Sequence, residues 1–487
     1  MLPEAIIDLQ DNRLGSVPAD INGAHVTVGV SSLGTPNTMY RCSTIDDVKT
    51  KLGVGPLAES VAKKVRAGIR PVFAMPMAVI TPGAAGTVTK VGTGTGILVV
   101  SGGALDAYNV ILEITRDGVN LAANTAAFRV SLDGGDTYSA ETALPVSGVY
   151  TGLLAETGLT LTFTNGAGPT SFITGNTYSF DVSAPQASTT TLGAALDAVL
   201  ATPGLDVEGI HVAAALTGAQ AAVLAAKNDA ARARYRFWWG VGETRVKTSV
   251  ETYDTWATAV LADYSAVFNR YTSVIAGDAE VLSQLTARIE RRNPASEMLT
   301  HALGGAVSQS PGEVARGPVP GVLKLYHDEF NLESLSARFW TMRTFDQSGG
   351  LYITEGKTLA PANSDYSYFE AVRSINKVAR AARSVAIRYV NSRFRVTAAG
   401  LLDPRDTQTL IAQFGTPLDQ MVAEGDLSSY RVVVDPNQNI LSTKLIFVDV
   451  DCVPVGIART IRVRIGYLNP RLASQAVAQA AAPAPTA

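Results

Sequence analysis

The chain has 487 residues, too many for one ordinary domain, and its 46% hydrophobic and 17% charged content predicts packed cores rather than disorder. A formal net charge of -3 gives no global drive toward nucleic acid or an anionic membrane. Cys42 and Cys452 are the only cysteines, which excludes a disulfide framework and a CxxC metal site and predicts two reduced thiols in a cytoplasmic product.

Residues 1–20 carry few apolar side chains and read as an arm. Glu4, Asp8 and Asp11 stand where a secretory signal is basic and then apolar. AHVTVGVSS predicts a strand and STIDDVKTKLG a helix. PLAESVAKKVRAG predicts a second helix, with Leu57, Val61 and Val65 on one face and Gly68 as its C-terminal stop. RPVFAMPMAVI returns as a strand. From Thr81 to Pro185 the texture changes to Gly and Thr with little Lys or Arg. Short strands such as YNVILEITRDG and LTLTFTNG alternate with DG, GG and NG turns, predicting an all-β, sandwich-like module. Its Asp133–Asp136 stretch, DGGD, lacks the further oxygen ligands of a calcium loop and reads as a hairpin turn.

Helix and strand alternation then resumes: GIHVAAAL, a helix from Ala219 to Arg234, RFWWGVGE, a helix from Val250 to Arg270, and TSVIAGDAE. The most apolar run, GIHVAAALTGAQAAVLAA, is interrupted by His211, Thr217 and Gln220, so it predicts a strand entering a helix and no membrane span. GVGE is too short for a dinucleotide fingerprint. Residues 302–321 form a Gly/Pro-rich connector. A long helix is expected over 365–394, strands over 442–456 and 458–470, and a disordered Ala/Pro tail from Arg471. The expected fold is therefore an α/β (α+β) multidomain core with an inserted all-β domain and extended terminal arms. The expected parts are 1–20, an arm; 21–80 with 186–320, a discontinuous α/β domain; 81–185, the β insert; 321–457, a C-terminal core domain; 458–470, an arm strand; and 471–487, the tail.

Chemistry is sparse. GGLYITEGKTLA ends like a phosphate-binding loop at Gly356-Lys357-Thr358. Position 351 is Leu where the loop needs Gly, however, and Leu351–Glu355 alternates like a strand. The four histidines, His25, His211, His301 and His327, fall in separate segments, so no local zinc spacing exists. No GxSxG elbow occurs. His327–Glu329 is the densest titratable cluster and reads as a solvated turn. These features point away from an enzyme and from a bound cofactor or metal. The alternative is a cytosolic α/β enzyme, hydrolase-like or nucleotide-dependent, with a β accessory module.

Two patterns suggest contacts instead. Between Tyr366 and Arg395 there are seven basic residues against the single acid Glu370. Arg373, Lys377 and Arg380 share one helix face, opposite Phe369, Val372, Ala379, Ala382 and Ala386. That stripe fits either an ordinary solvated face or a ridge aimed at an acidic partner; DNA is disfavoured because aromatic residues are few among the charges. In the terminal segment, Ile461, Arg462, Val463, Arg464 and Ile465 alternate strictly. Such a strand completes its own sheet or extends another subunit's sheet.

Taken in order, several segments resemble contractile phage tail sheath proteins. These are Ser43–Met77, with the Leu52-Gly53 and Gly68 helix ends; Gly350 through Gly356-Lys357-Thr358-Leu359 to Asp365-Tyr366 and the basic helix; and Ala458–Pro470 at the place of the family's swapped arm. Lys357 stands where the family often has Arg, and the Thr81–Pro185 module lies outside the common core. The resemblance implies a helical homopolymer of stacked rings around an inner tail tube protein, with baseplate and tail terminator proteins as further partners. It implies arms lent to neighbouring subunits, outward exposure of the 81–185 module, and the Arg373, Lys377, Arg380 stripe facing the tube. Contraction would be driven by subunit repacking without ATP. The protein would be assembled in the host bacterial cytoplasm and reside in the virion tail, with no nucleic acid partner and no membrane insertion.

Overall fold

A computed structural model describes residues 23–248, 250–326, 333–361 and 363–467. The expected arm at 1–20, the His327–Glu329 cluster, positions 468–470 and the 471–487 tail lie outside the described residues. Among the described residues the chain is mixed α/β, with several sheets and eleven α-helices.

The central sheet begins with β1 (Ala24–Gly29), buried along its whole length as a strand covered on both faces must be. β2 (Tyr40–Cys42) leads into α1 (Ile45–Lys51), which opens on a capping box. Thr44 accepts from the Asp47 N–H and Asp47 accepts from the Thr44 N–H. α2 (Pro56–Arg66) places Pro56 in its first turn, where no N–H is required, and buries Leu57, Val61 and Val65 against Val72 and Ala74. Gly68 takes a left-handed φ of 79° just past its end, as the sequence predicts. β3 (Val72–Pro76) then pairs parallel with β1.

Nine strands follow: β4 (Ala84–Ala85), β5 (Thr89–Val91), β6 (Ile97–Ser101), β7 (Tyr108–Arg116), β8 (Ala127–Ser131), β9 (Thr142–Ala143), β10 (Val149–Tyr150), β11 (Thr160–Thr164) and β12 (Thr177–Ser183), with one short helix, α3 (Leu154–Thr157). One sheet runs β4-β12-β7-β8-β9, with β5 also on β12; a second runs β10-β11-β6. A single apolar cluster including Leu112, Phe128, Leu161, Phe163 and Phe172 draws side chains from both. Thr81 and Gln186 exchange backbone hydrogen bonds of 3.2 and 2.9 Å, so the chain enters and leaves this region at one point.

The chain then returns through α4 (Thr189–Ala201), β13 (Val207–Ala215), α5 (Gly218–Ala233), β14 (Trp239–Glu243), α6 (Tyr253–Asp263) and β15 (Thr272–Ile275). Hydroxyls of Ser188, Thr217 and Thr252 cap the three helices. The expected Val250–Arg270 helix is confined to α6, because Tyr264 already departs from helical geometry at its C-cap. The completed sheet runs β15-β14-β13-β1-β3-β2, parallel except for β2.

β16 (Ala279–Leu282), β17 (Ile289–Arg292), α7 (Ala295–Leu303), β18 (Val322–Leu325), α8 (Glu333–Ser336), β19 (Met342–Phe345) and β20 (Ser348–Ile353) come next. β16 pairs with β18, a ladder that spans the expected 320–321 boundary. Trp239, Ile275, Met298, Trp340, Ile353 and Phe369 share one core, so these elements pack onto the central sheet. α9 (Phe369–Tyr389), α10 (Pro404–Ala423), β21 (Ser429–Val433), α11 (Ile440–Thr443) and β22 (Asp449–Val453) complete the compact unit that ends at Pro454. From Val455 a separate unit begins, and its described residues 455–467 contain neither helix nor strand.

Candidate assembly interface

The terminal segment exposes what a folded chain normally hides. Ile461, Val463, Ile465 and Tyr467 are 79, 71, 93 and 110% exposed, and no ladder is formed by residues 455–467. Arg462 and Arg464 alternate with them. An alternating, unpaired apolar row remains, with its backbone donors and acceptors free of any ladder.

Within the larger unit, β21 and β22 form a sheet of only two strands. A two-stranded ribbon is marginal alone. Here it is supported from one side, where Leu418, Met421 and Leu427 meet Val378 of α9 and the ribbon residues Tyr430, Val432 and Val450. Among the described residues neither outer edge is paired. α10, which carries this support, is absent from the sequence-based expectation. Its local signals are Asp403 accepting from the Arg405 N–H, Pro404 in the first turn, and buried Leu410, Phe414, Leu418 and Met421 at helical spacing.

The basic stripe is not a surface, and the expectation that it faces a tube is corrected here. Arg373 is 5% exposed and lies 3.4 Å from Glu208 of β13, with its other nitrogen donating to the carbonyls of Ala302 and Ala306. Lys377 donates to Asp426 at 2.6 Å and Glu424 at 2.8 Å. Arg380 reaches Asp206 at 3.7 Å and Glu208 at 3.8 Å and donates to the Phe237 carbonyl. Buried charge persists only when paired, and the partners Asp206, Glu208, Glu424 and Asp426 all lie in segments distant in sequence. Burial pushes the Glu208 carboxyl up, but Arg373, His25 and Arg380 outweigh it and hold the pKa below its usual value. For Lys377, burial lowers the pKa and the bonds to Asp426 and Glu424 raise it further than that, so the ammonium is held charged. Ala386, assigned to the apolar face, is exposed instead, because the last turns of α9 pack through Ala382, Val385 and Tyr389.

The phosphate-loop ending serves as a joint. The Lys357 ammonium lies 3.0 Å from Glu355 and 2.9 Å from the Tyr368 hydroxyl, Thr358 donates to the Tyr366 carbonyl, and the Gly356 carbonyl accepts from the Phe369 N–H. These bonds tie β20 to the start of α9. Asp133 of DGGD is consumed by Ser131 and Thr137, so the stretch is a turn held by its own side chains. His211 Nδ1 lies 2.9 Å from Lys64 Nζ and 3.0 Å from Ser60 Oγ in a buried knot between α2 and β13. Among the described residues no group of three or more His, Cys, Asp or Glu side chains is arranged to hold a metal ion, and no helix is long and apolar enough to cross a membrane.

The fold is similar to that of chains from contractile sheath assemblies. A chain of the contracted sheath complex of PVC, an extracellular contractile injection system, matches over 96% of this chain and 98% of its own, at 11% identity and a TM-score of 0.53. A chain of the contracted helical sheath of the anti-feeding prophage matches over 96% and 99%, at 11% identity and a TM-score of 0.52. A chain of that prophage's baseplate, 6-fold symmetrised, matches over 96% and 99% at 10% identity and a TM-score of 0.52. By sequence the chain belongs to the DUF2586 family: residues 2–357 match "DUF2586, N-terminal domain" and residues 365–472 match "DUF2586, C-terminal domain". The gap between the two matches falls in the connector that leads into α9. No curated protein matches the chain.

Proposed function

We propose that the chain is the sheath subunit of a contractile tail or injection device, polymerising helically around an inner tube and shortening to drive that tube through a target envelope. The observation that carries this reading is end-to-end likeness of fold to chains from two contracted sheaths, at 96% coverage of this chain. The exposed Ile461, Val463, Ile465 row supports it, because a non-closing interface between identical chains produces an open helix. In this reading the row of Ile461 to Ile465 is an inter-subunit arm, and residues 1–20 are a second one. Residues 81–185 form an inserted, sandwich-like domain on the outer surface; residues 21–80 with 186–320, and 321–457, make the core. Baseplate, tube and terminator proteins are the partners, assembly takes place in a bacterial cytoplasm, and no catalytic step is involved. Negative-stain microscopy of the purified chain at increasing concentration is the test. Hollow tubes or stacked rings are expected, and a monomer at every concentration, with or without a tube protein, would refute it.

A further inference from the structure

A cleft of about 880 Å³ opens where the central sheet changes its direction of winding. From β1 the chain moves to β3 on one side, then returns to add β13, β14 and β15 on the other. The connections at the C-terminal ends of β1 and β13 therefore diverge, and Val30, Ala214 and Ala215 lie at the gap between them. In open parallel sheets ligands bind at this switch point, because no element of the fold fills it. The β region closes the cleft from the other side with Ala84–Gly86 and Asp106–Asn109. Its volume lies within the range of roughly 300–1,000 Å³ typical of small-molecule sites.

The wall charges select the ligand. The bases are already engaged. Arg245 pairs with Glu251 at 2.6 Å and Arg291 with Asp278 at 2.7 Å. Arg292 sits among Glu59, Asp106 and Glu290, and Lys247 donates to the carbonyls of Thr248 and Glu251. The N-terminus of α5 also reaches the cleft but is closed by Asp263 on the Gly218 N–H and by Gln220 on the Thr217 N–H. Among the described residues, then, every Lys and Arg side chain of the wall is already engaged. Of the wall acids, Asp106 faces Arg292, Asp181 accepts from Asn109, and Asp263 accepts from Gly218. Glu243, at the end of β14, has no hydrogen bond or ion pair to its carboxyl group among the described residues, and it reaches the cleft. Burial pushes its pKa up to about 8 against the pull of Arg292, with Glu297 and Asp106 adding to the rise and Lys64 opposing it. Glu243 is half-buried, and a partly desolvated carboxyl group without a donor carries a cost that an arriving ammonium reduces.

We propose that this cleft binds a small organic amine, its ammonium paired with Glu243 and its hydrocarbon part against Val30, Met77, Leu192 and Leu216. The proposal does not depend on the sheath reading. Isothermal titration calorimetry of the full-length chain in phosphate buffer, with 4-phenylbutylamine and butane-1,4-diamine as probes and 4-phenylbutan-1-ol as the neutral control, tests it. Saturable binding of at least one amine is expected, weakened tenfold or more in Glu243→Gln at an unchanged melting temperature. Ala215→Trp, at a solvent-reached position that fills the cleft, should abolish binding and keeps the test available if the first variant fails to fold. Absence of saturable binding by either amine, equal binding to Glu243→Gln, or binding of the alcohol as tight as its amine would overturn the proposal.

Discussion

Arg373 of α9 and Glu208 of β13 meet at 3.4 Å with side chains 5% and 4% exposed, so α9 is pinned to the central sheet by an enclosed charge pair. Arg380 joins on the second carboxylate oxygen, making an Arg–Glu–Arg triad. Glu208→Leu strips both guanidinium groups of that partner and should cost about 3–5 kcal/mol. The triple change Glu208→Leu, Arg373→Met, Arg380→Met should recover most of the loss, since apolar side chains of similar volume carry no desolvation penalty. Urea unfolding midpoints of the three proteins check this; a single variant as stable as the parent would mean that water replaces the pair.

Acid sensitivity follows from His25, beside that triad. Burial holds its pKa down at about 4 against an ordinary 6.5, with Glu208 opposing and Arg373, Lys64 and Arg380 reinforcing. The folded state therefore keeps His25 neutral while the unfolded chain takes up a proton below pH 6.5. Its contribution is complete above about pH 6.5 and is lost progressively as pH falls toward 4, up to about 3 kcal/mol in all. Melting curves from pH 7 to 4, below any assembly concentration, should fall less steeply in His25→Gln than in the parent.

Removing residues 458–487 should leave the unit ending at Pro454 folded, because that unit is compact without them. Assembly should fail, since the exposed Ile461, Val463 and Ile465 row is removed. Circular dichroism and sedimentation velocity separate the two effects, and normal-length polymers from the truncated chain would show the row to be dispensable. Deleting residues 1–20 should act in the same direction.

Replacing residues 82–185 by a short Gly/Ser linker should give a soluble, folded chain that still assembles. Thr81 and Gln186 are already hydrogen-bonded neighbours, so a linker need bridge almost no distance. The deletion breaks the ion pairs Asp136–Lys324, Glu156–Arg288 and Asp106–Arg292, each with its acid on the removed part. The first two are partly exposed and worth about 0–1 kcal/mol each. A folded deletion variant that forms no polymer by electron microscopy would place subunit contacts in the removed strands.

Local patterns account for much of this fold. Leu57, Val61 and Val65 mark α2, and alternation in 108–116 and 160–164 marks two strands, because spacing alone decides which face is apolar. α10 is obscured by Gly415 and Pro417, which interrupt a helical pattern on paper but are accommodated in the folded helix. The Arg373, Lys377, Arg380 stripe misleads for a different reason. Charge on one helix face looks solvated unless its partners are known, and Glu208, Glu424 and Asp426 carry no local mark of that role. The cleft is equally illegible, since its walls run from Val30 to Ser296 and only the folded sheet brings them together.

The paired strands at Thr81 and Gln186 also have a mechanical consequence. Along the backbone, a tensile load applied to residues 82–185 reaches the rest of the chain through two adjacent segments, joined crosswise by hydrogen bonds of 3.2 and 2.9 Å. Pulling on both segments in the same direction loads them equally and leaves those two bonds unstretched. Force is then delivered to the ends of β3 and α4 as a single tether, and the register of β1 against β13 carries none of it directly. Once the side-chain pairs Asp136–Lys324, Glu156–Arg288 and Asp106–Arg292 are broken, the load acts through that neck alone.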